Sequence, residues 1–213
     1  MPLFLKHTKP LFGVWKIEEN QDELLSLLTN KEAVLPFLEH MRTENRRKEW
    51  LAVRVLLKEL TGEEKQVGYH PDGAPFLIGS DLYISISHTK GYAALLVSDR
   101  PEAGIDIEYR GTRIVKVRDR FMTPEEEAAI DPCHEVEQLL IHWCVKETLF
   151  KILRKKEVDF RKHLHVSPFL YNELGSLTAC ETLSDPPVSY RLNYVTYPGF
   201  ILVFSFPSAG KVS

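Results

Sequence analysis

Apolar residues recur at intervals of three and four positions in two long segments of the chain, and this spacing is typical of amphipathic helices. The first segment extends from Asn45 to Leu60, where Thr61-Gly62 supplies a stop signal, and the second extends from about Glu135 to Leu153. A further helix is predicted to begin at Thr123-Pro124-Glu125-Glu126, because an N-cap threonine, a following proline and a glutamate three positions after the cap favour a helix start. Helical spacing also marks residues 21–39 and 113–121.

Runs of apolar and β-branched residues predict strands between and after these helices. They lie at 11–17, 83–88, 92–98, 104–109, 188–195 and 200–206, and residues that favour turns separate them. Because several strands follow one another through short turns, we predict an α+β fold of small, mostly antiparallel sheets, each packed against one long helix.

The two long helices share a pattern of residues at one constant offset. Trp50, Leu57 and Lys58 of the first helix match Trp143, Phe150 and Lys151 of the second. We interpret this as a duplication that gives two similar lobes, residues 1–103 and 104–213, with the active site between them. Chance similarity between amphipathic helices is the alternative.

Composition and charge narrow the class of protein. With 44% hydrophobic and 27% charged residues in 213, the chain has the balance of a folded globular protein. The formal net charge of -3 gives no global attraction to nucleic acid or to an anionic membrane. The sequence pattern includes neither a signal peptide nor a membrane-spanning run. Its three cysteines are odd in number and widely spaced, which fits neither a disulfide framework nor a metal site, so we expect reduced thiols. We therefore expect a cytoplasmic protein without nucleic-acid or membrane partners.

Two carboxylates lie close together in the predicted strand Gly104-Ile105-Asp106-Ile107-Glu108. Since side chains alternate along a strand, Asp106 and Glu108 share one face and the two isoleucines share the other. Paired carboxylates suit Mg²⁺, which prefers oxygen ligands and keeps positions for water and phosphate oxygens. A solvated edge strand with its acids turned outward is the alternative.

The second long helix carries an unusual stripe of side chains. Trp143, Lys146, Glu147, Phe150 and Lys151 recur at helical spacing, so that aromatic rings, cations and one acid lie along neighbouring positions of the same helix. This mixture is expected in the wall of a polar cleft. A surface ion pair between Glu147 and Lys151 is the alternative.

A third motif, Ser85-Ile86-Ser87-His88-Thr89, places two hydroxyls on one face of a strand and an imidazole near its end. Such groups can hold a phosphate, whereas a histidine with a purely structural role is the alternative. A serine-histidine hydrolase is disfavoured because adjacent Ser87 and His88 point to opposite faces and no G-x-S-x-G turn is present. The cationic side chains of residues 46–54 favour the binding of one compact polyanion. A solvated helix face is the alternative.

Taken together, Ser-Ile-Ser-His-Thr, Gly-Ile-Asp-Ile-Glu and Trp-Cys-Val-Lys-Glu-x-x-x-Lys resemble the 4'-phosphopantetheinyl transferase superfamily in order and in separation. The resemblance is closest to the large, monomeric type that activates nonribosomal peptide synthetases. It implies that the 4'-phosphopantetheine arm of coenzyme A is transferred to a serine of an apo carrier protein, such as an acyl or peptidyl carrier protein. Adenosine 3',5'-bisphosphate would be released. The reaction would depend on Mg²⁺, with Mn²⁺ as a substitute.

The resemblance also implies roles for individual residues. Asp106, Glu108 and Glu147 match the metal ligands of the family, and Asp106, Glu147 and Lys151 its catalytic residues. Glu147 is also a candidate for the base, with Glu126 as a second acid. Groups expected to bind the coenzyme are Arg47, Arg54, Gly73, Ser87, His88, Lys146 and Lys151.

The chain departs from the family at Gly73-Ala74-Pro75, where the family often has a lysine or arginine between the glycine and the proline. Loss of this cation predicts weaker binding of the coenzyme. It also leaves open a catalytically silent module that binds coenzyme A or a carrier. A Mg²⁺-dependent phosphohydrolase that uses the same acids and lysines is a further alternative.

Overall fold

The computed structural model describes residues 2–206, and its helices and antiparallel strands confirm the predicted α+β class. Contacts between Cα atoms divide the chain into two compact units between Asp99 and Arg100. The duplication, the boundary between residues 103 and 104 and the location of the active site between lobes stay predictions. None of the helices in this part of the chain has the length and apolar character needed to cross a bilayer.

The N-terminal unit contains a four-stranded antiparallel sheet and one long helix. The sheet has the order β1-β2-β6-β5, and the helix α3 packs against β2 and β6. A two-stranded sheet of β3 and β4 and two short helices, α1 and α2, complete the unit. The bounds are β1 Leu3–Thr8, β2 Leu11–Lys16, α1 Gln21–Ser26, α2 Leu35–Glu39, α3 Glu44–Thr61, β3 Val67–Tyr69, β4 Pro75–Leu77, β5 Tyr83–Thr89 and β6 Tyr92–Ser98.

Local chemistry explains where α3 begins and ends. The Thr43 hydroxyl accepts a hydrogen bond from the backbone N–H of Arg46, and Gly62 ends the helix in a left-handed conformation with φ of 80°. Gly13 of β2 lets the sheet approach the helix, because a Cβ there would lie 2.9 Å from Leu56 Cδ1. Apolar side chains of the helix therefore pack with those of the sheet and of the short helices in the core of this unit.

The C-terminal unit contains a five-stranded antiparallel sheet of order β7-β11-β10-β9-β8, and the second long helix, α5, packs against β7 and β11. A 3₁₀ segment and the short helix α4 precede α5. The bounds are β7 Gly104–Tyr109, 3₁₀ segment Thr112–Arg120, α4 Pro124–Ala128, 3₁₀ turn Pro132–His134, α5 Glu135–Leu153, β8 Leu164–Val166, β9 Leu174–Glu181, β10 Val188–Thr196 and β11 Phe200–Ser205.

Two sequence features shape the elements around α5. Thr123 and Glu126 form the predicted capping box at the start of α4. Gly104 lets β7 approach α5, because a Cβ at this position would lie 2.9 Å from Ile152 Cγ1 and 3.1 Å from Thr148 Cγ2. The strand that carries the paired carboxylates can therefore lie directly against the helix that carries Glu147.

Candidate active site

The paired acids of β7 both contact α5. Asp106 is buried, and Lys151 Nζ donates to Asp106 Oδ1 at 2.7 Å and to the carbonyl oxygen of Ile105 at 3.1 Å. Glu108 Oε1 accepts a hydrogen bond of 3.0 Å from Trp143 Nε1. The acid-bearing face of the strand thus meets a stripe of the helix, as the two motifs together suggested.

Glu147 lies one helical turn from Trp143 and one from Lys151, which contact the two strand acids. Burial raises the pKa of its carboxyl to about 7, the negative charge of Asp106 adds to the increase, and Lys151 opposes it. Glu108 also raises this pKa. The two strand carboxylates therefore lie in the same region of the C-terminal unit as Glu147 and disfavour the ionisation of Glu147.

The chemistry of this donor set fits a divalent cation. Within residues 2–206, no three acid, histidine or cysteine side chains converge closely enough to hold a metal ion. Yet Asp106, Glu108 and Glu147 offer the oxygen ligands that Mg²⁺ prefers, and a bound cation relieves the repulsion that raises the pKa of Glu147. Their assignment as metal ligands stays a prediction.

Lys146 does not lie with the polar groups of the stripe. Its side chain has no exposed surface, and Nζ donates to Phe121 O at 2.5 Å, to Glu126 Oε2 at 2.7 Å and to Phe160 O at 3.0 Å. An ammonium group has three N–H donors, and these three acceptors use all of them. This placement does not agree with the predicted contact between Lys146 and a phosphate of the coenzyme.

Glu126 is equally enclosed, which argues against its use as the second candidate base. Its Oε1 accepts from the backbone N–H of Val166 at 2.9 Å, and Oε2 accepts from Lys146 and from the N–H of Thr123 at 2.9 Å. The carboxylate is 4% exposed and is held at both oxygens. A proton acceptor for a substrate needs access that this side chain lacks.

An open cavity of about 540 Å³ lies beside the stripe in the C-terminal unit. Trp143 and Phe160 form its aromatic part, with ring centroids 5.5 Å apart, while Arg120 and Arg161 bring positive charge to its edge. Because Trp143 also contacts Glu108, the cavity adjoins the carboxylates. Arg161 and Phe160 were not identified from the sequence, since no periodic pattern marks the loop that follows α5.

In the N-terminal unit, His88 at the end of β5 contacts residues of α3. Arg46 Nη1 lies within hydrogen-bonding distance of His88 Nε2, and His88 Nδ1 lies 3.4 Å from Glu49 Oε2. The sequence pointed to His88 but not to Arg46 or Glu49 as its neighbours. Helical spacing places these two residues together on α3 but does not show what faces them.

Two predicted coenzyme-binding arginines of α3 have different environments. Arg47 Nε donates to the carbonyl oxygen of Met41 at 3.0 Å. The Arg54 guanidinium is buried over the ring of Trp50, 3.5 Å from the ring centroid, and donates to the hydroxyl of Tyr69 at 3.3 Å. Burial lowers the pKa of Arg54, and the neighbouring Tyr69 opposes this effect. Arg54 also borders a partly enclosed apolar cavity of about 170 Å³.

Ser87 and Gly73 are the remaining predicted binding residues of the N-terminal unit. Ser87 is buried in β5 and pairs with Ala94 of β6. Gly73 has φ of 86° and belongs to the turn between β3 and β4, where its N–H donates to the carbonyl oxygen of His70 at 2.8 Å. Glycine suits this left-handed position, so the turn by itself accounts for a glycine here.

Comparison with known proteins confirms the resemblance predicted from the motifs. Residues 102–195 match the family model of the 4'-phosphopantetheinyl transferase superfamily, and this range contains all the residues of the α5 and β7 cluster. The 4'-phosphopantetheinyl transferase AcpT of Salmonella typhimurium is 32% identical over 117 residues, which cover 50% of this chain and 58% of the relative. AcpT of Escherichia coli strain K12 is 32% identical over 112 residues, 50% of this chain and 57% of the relative. In each comparison the chain spans less than two thirds of the relative.

Proposed function

We propose that this chain, which resembles the 4'-phosphopantetheinyl transferase superfamily over residues 102–195, transfers the phosphopantetheine arm of coenzyme A to a serine of an apo carrier protein. The observation that supports the proposal is the contact between β7 and α5, which brings Lys151 to Asp106 and Trp143 to Glu108, with Glu147 one helical turn from each of these α5 residues. This cluster lies wholly within the matched residues.

The reaction requires a hydroxyl to attack a phosphoryl group that already carries negative charge. The serine oxygen forms a bond to the β-phosphorus of coenzyme A, and the bond from that phosphorus to the oxygen bridging to the α-phosphate breaks. The serine proton passes to a base, and adenosine 3',5'-bisphosphate leaves with the electron pair of the broken bond. Catalysis therefore needs a proton acceptor near the serine and positive charge near the departing phosphate.

The side chains of the C-terminal unit supply these functions. Mg²⁺ held by Asp106, Glu108 and Glu147 would neutralise charge on the pyrophosphate, and Mn²⁺ satisfies the same oxygen ligands. Glu147 is also the proposed base, although ligation and proton transfer compete for its one carboxylate; its pKa of about 7, raised by burial, is that of the side chain without a metal. Lys151 brings a positive charge beside Asp106, where it can stabilise the phosphate that leaves.

We propose that an imidazole and two guanidinium groups of the N-terminal unit bind the 3'-phosphate of the coenzyme. His88 and Arg46 lie together at the end of β5, and Arg54 supplies a guanidinium for which no carboxylate partner is found within residues 2–206. Positive groups of this kind suit a compact phosphate. We further propose that the protein acts as a monomer in the cytoplasm, with an acyl or peptidyl carrier protein as its partner.

Mass spectrometry of an intact apo acyl carrier protein tests the proposal directly. The carrier is incubated with the protein, coenzyme A and Mg²⁺, and a gain of one phosphopantetheine that a chelator prevents is the expected result. Glu147→Gln should lose the transfer, whereas Glu137→Gln on the same helix, which removes an ion pair with Arg110, should retain it.

Two controls separate the alternatives. Hydrolysis of coenzyme A in the absence of any carrier, with no mass gain when carrier is added, would point to a phosphohydrolase instead. No mass gain with several acyl and peptidyl carriers, despite measurable binding of coenzyme A, would contradict the transferase and leave a silent binding module.

A further inference from the structure

A buried ion pair beneath the catalytic face of α5 has no role in the mechanism described so far. Lys146 Nζ and Glu126 Oε2 are 2.7 Å apart, and their side chains are 0% and 4% exposed. Burying two charges is costly unless both are fully hydrogen-bonded. Here both are, because the pair makes a connected set of contacts with the surrounding backbone.

The contacts of this pair reach four separate parts of the C-terminal unit. Lys146 on α5 binds the carbonyl oxygens of Phe121, at the end of the 3₁₀ segment, and of Phe160, in the loop after α5. Glu126 on α4 binds the backbone N–H groups of Thr123 and of Val166 in β8. Segments distant in sequence are thereby fixed to one point on α5.

Lys146 is adjacent to Glu147 in the sequence, so successive side chains point about 100° apart around the helix. Fixing Lys146 therefore fixes the rotation of α5 and the direction of Glu147. It also fixes Trp143 and Lys151, one turn to either side of Glu147, against the acids of β7. A helix held only by apolar packing against its sheet can slide or rotate at lower cost than one held by directional bonds.

We infer that Lys146 and Glu126 form a buried clamp that sets the rotation of α5 and so positions Glu147 and Lys151, and that Lys146 makes no contact with the coenzyme. This inference rests on the proposed transferase function. It makes Lys146 a positioning residue and corrects the role that the motif alone suggested for it. The clamp acts on the rate of the chemical step, whereas a phosphate contact would act on coenzyme binding.

Kinetics of single and double variants test the clamp. Lys146→Met, Glu126→Gln and the double variant are compared in kcat, in KM for coenzyme A and in the Kd of coenzyme A measured by calorimetry. Each single variant should lower kcat at least tenfold and by a larger factor than it weakens the Kd, the two variants should weaken the Kd alike, and the double variant should be no worse than the more impaired single variant. Lys162→Met, whose side chain is 77% exposed and makes no bond to Lys146 or Glu126, is the control that should match wild type.

Opposite results would overturn the inference. A tenfold weaker Kd in Lys146→Met with a normal Kd in Glu126→Gln would make Lys146 a coenzyme ligand. Unchanged kcat in both single variants would show that the pair does not position the helix.

Chemical labelling of the wild-type protein gives a test that needs no variant to fold. Brief treatment with acetic anhydride should leave Lys146 unmodified with or without coenzyme A, while Lys162 is acetylated under both conditions. Lys151 should react in the free protein and be protected by coenzyme A. Cleavage after Glu147 separates Lys146 from Lys151, so that each is read on its own peptide.

The labelling also separates this inference from the proposed function. Acetylation of Lys146 that coenzyme A prevents would refute the clamp even if the transferase assay succeeds. If Lys146 stays unlabelled but the wild-type protein does not modify any carrier, the proposed function fails while the burial of Lys146 stands.

Discussion

Replacing Glu64 with glutamine should destabilise the N-terminal unit in a manner that depends on pH. The Glu64 carboxylate accepts hydrogen bonds from Lys58 Nζ at 2.8 Å and from the backbone N–H groups of Thr29 and Asn30, the latter at 3.0 Å. It therefore ties the loop after α1 to the end of α3. Glutamine keeps the size of the side chain but removes the charge and one of its acceptors.

The pKa of Glu64 sets the size of the effect. Burial alone would raise this pKa, but the hydrogen bonds from Lys58, Asn30 and Thr29 outweigh burial and lower it from 4.5 to about 2. Each pKa unit corresponds to about 1.4 kcal/mol, which gives an upper value of roughly 3 kcal/mol. Because the Glu64 side chain is 22% exposed and solvent screens it in part, we expect a loss of about 2 kcal/mol at neutral pH.

The sign of the pH dependence follows from the direction of the pKa change. A carboxyl whose pKa is lower in the folded state stabilises the fold fully above its unfolded pKa and loses that contribution as the pH falls towards its folded pKa. The difference in unfolding free energy between wild type and Glu64→Gln should thus be largest at pH 6 to 7 and shrink between about pH 4.5 and 2.

Two measurements at several pH values provide the assay: hydrogen exchange of individual amides, and urea unfolding of the whole protein. The amides of Thr29 and Asn30 report the loop itself. Glu63→Gln is the matched control because the Glu63 carboxylate is 65% exposed and pairs with Lys65. Equal destabilisation at pH 7 and pH 3, or an equal loss of stability in Glu63→Gln, would refute the reasoning.

Four further substitutions test the site. Asp106→Asn and Glu147→Gln should each lower kcat at least a hundredfold without loss of folded structure, as shown by circular dichroism, and near-wild-type turnover of Asp106→Asn would remove it from the metal and catalytic sets. Gly104→Val should separate β7 from α5 and cost about 2 kcal/mol or more of stability together with most of the activity, which urea unfolding and turnover would measure; a normal melting curve would contradict the close approach. His88→Ala should raise the KM for coenzyme A several-fold with little change in kcat, whereas His165→Ala, in the C-terminal unit, should leave both constants unchanged.

The helices and several strands of this protein could be predicted from the sequence because their signals are local. The predicted second long helix, Glu135 to Leu153, has the same bounds as α5, and the capping box at Thr123 forms as its residues indicate. β1 was missed because this edge strand, Leu3–Thr8, is mostly exposed and shows no regular apolar alternation. Hydrophobic periodicity reports burial, and a solvated edge strand provides little of it.

Part of the candidate site could also be predicted from local signals in the sequence. The alternation of Gly104 to Glu108 correctly placed Asp106 and Glu108 towards one set of partners. The three motifs indicated a resemblance to the superfamily whose model matches residues 102–195. Spacing along α5 likewise brought Trp143, Glu147 and Lys151 to one stripe. Residues that act through local geometry were therefore visible in the sequence.

The sequence by itself determined the elements, their faces and the identity of the reactive groups, because these depend on residues within a few positions of one another. Only the tertiary structure decided that Lys146 turns inward to Glu126 and that Arg46 and Glu49 meet His88. Helical spacing gives the angle between two side chains but not which side of the helix the rest of the chain covers. Which side is covered depends on contacts between segments far apart in sequence, because these contacts determine both how apolar side chains pack and which buried charges pair.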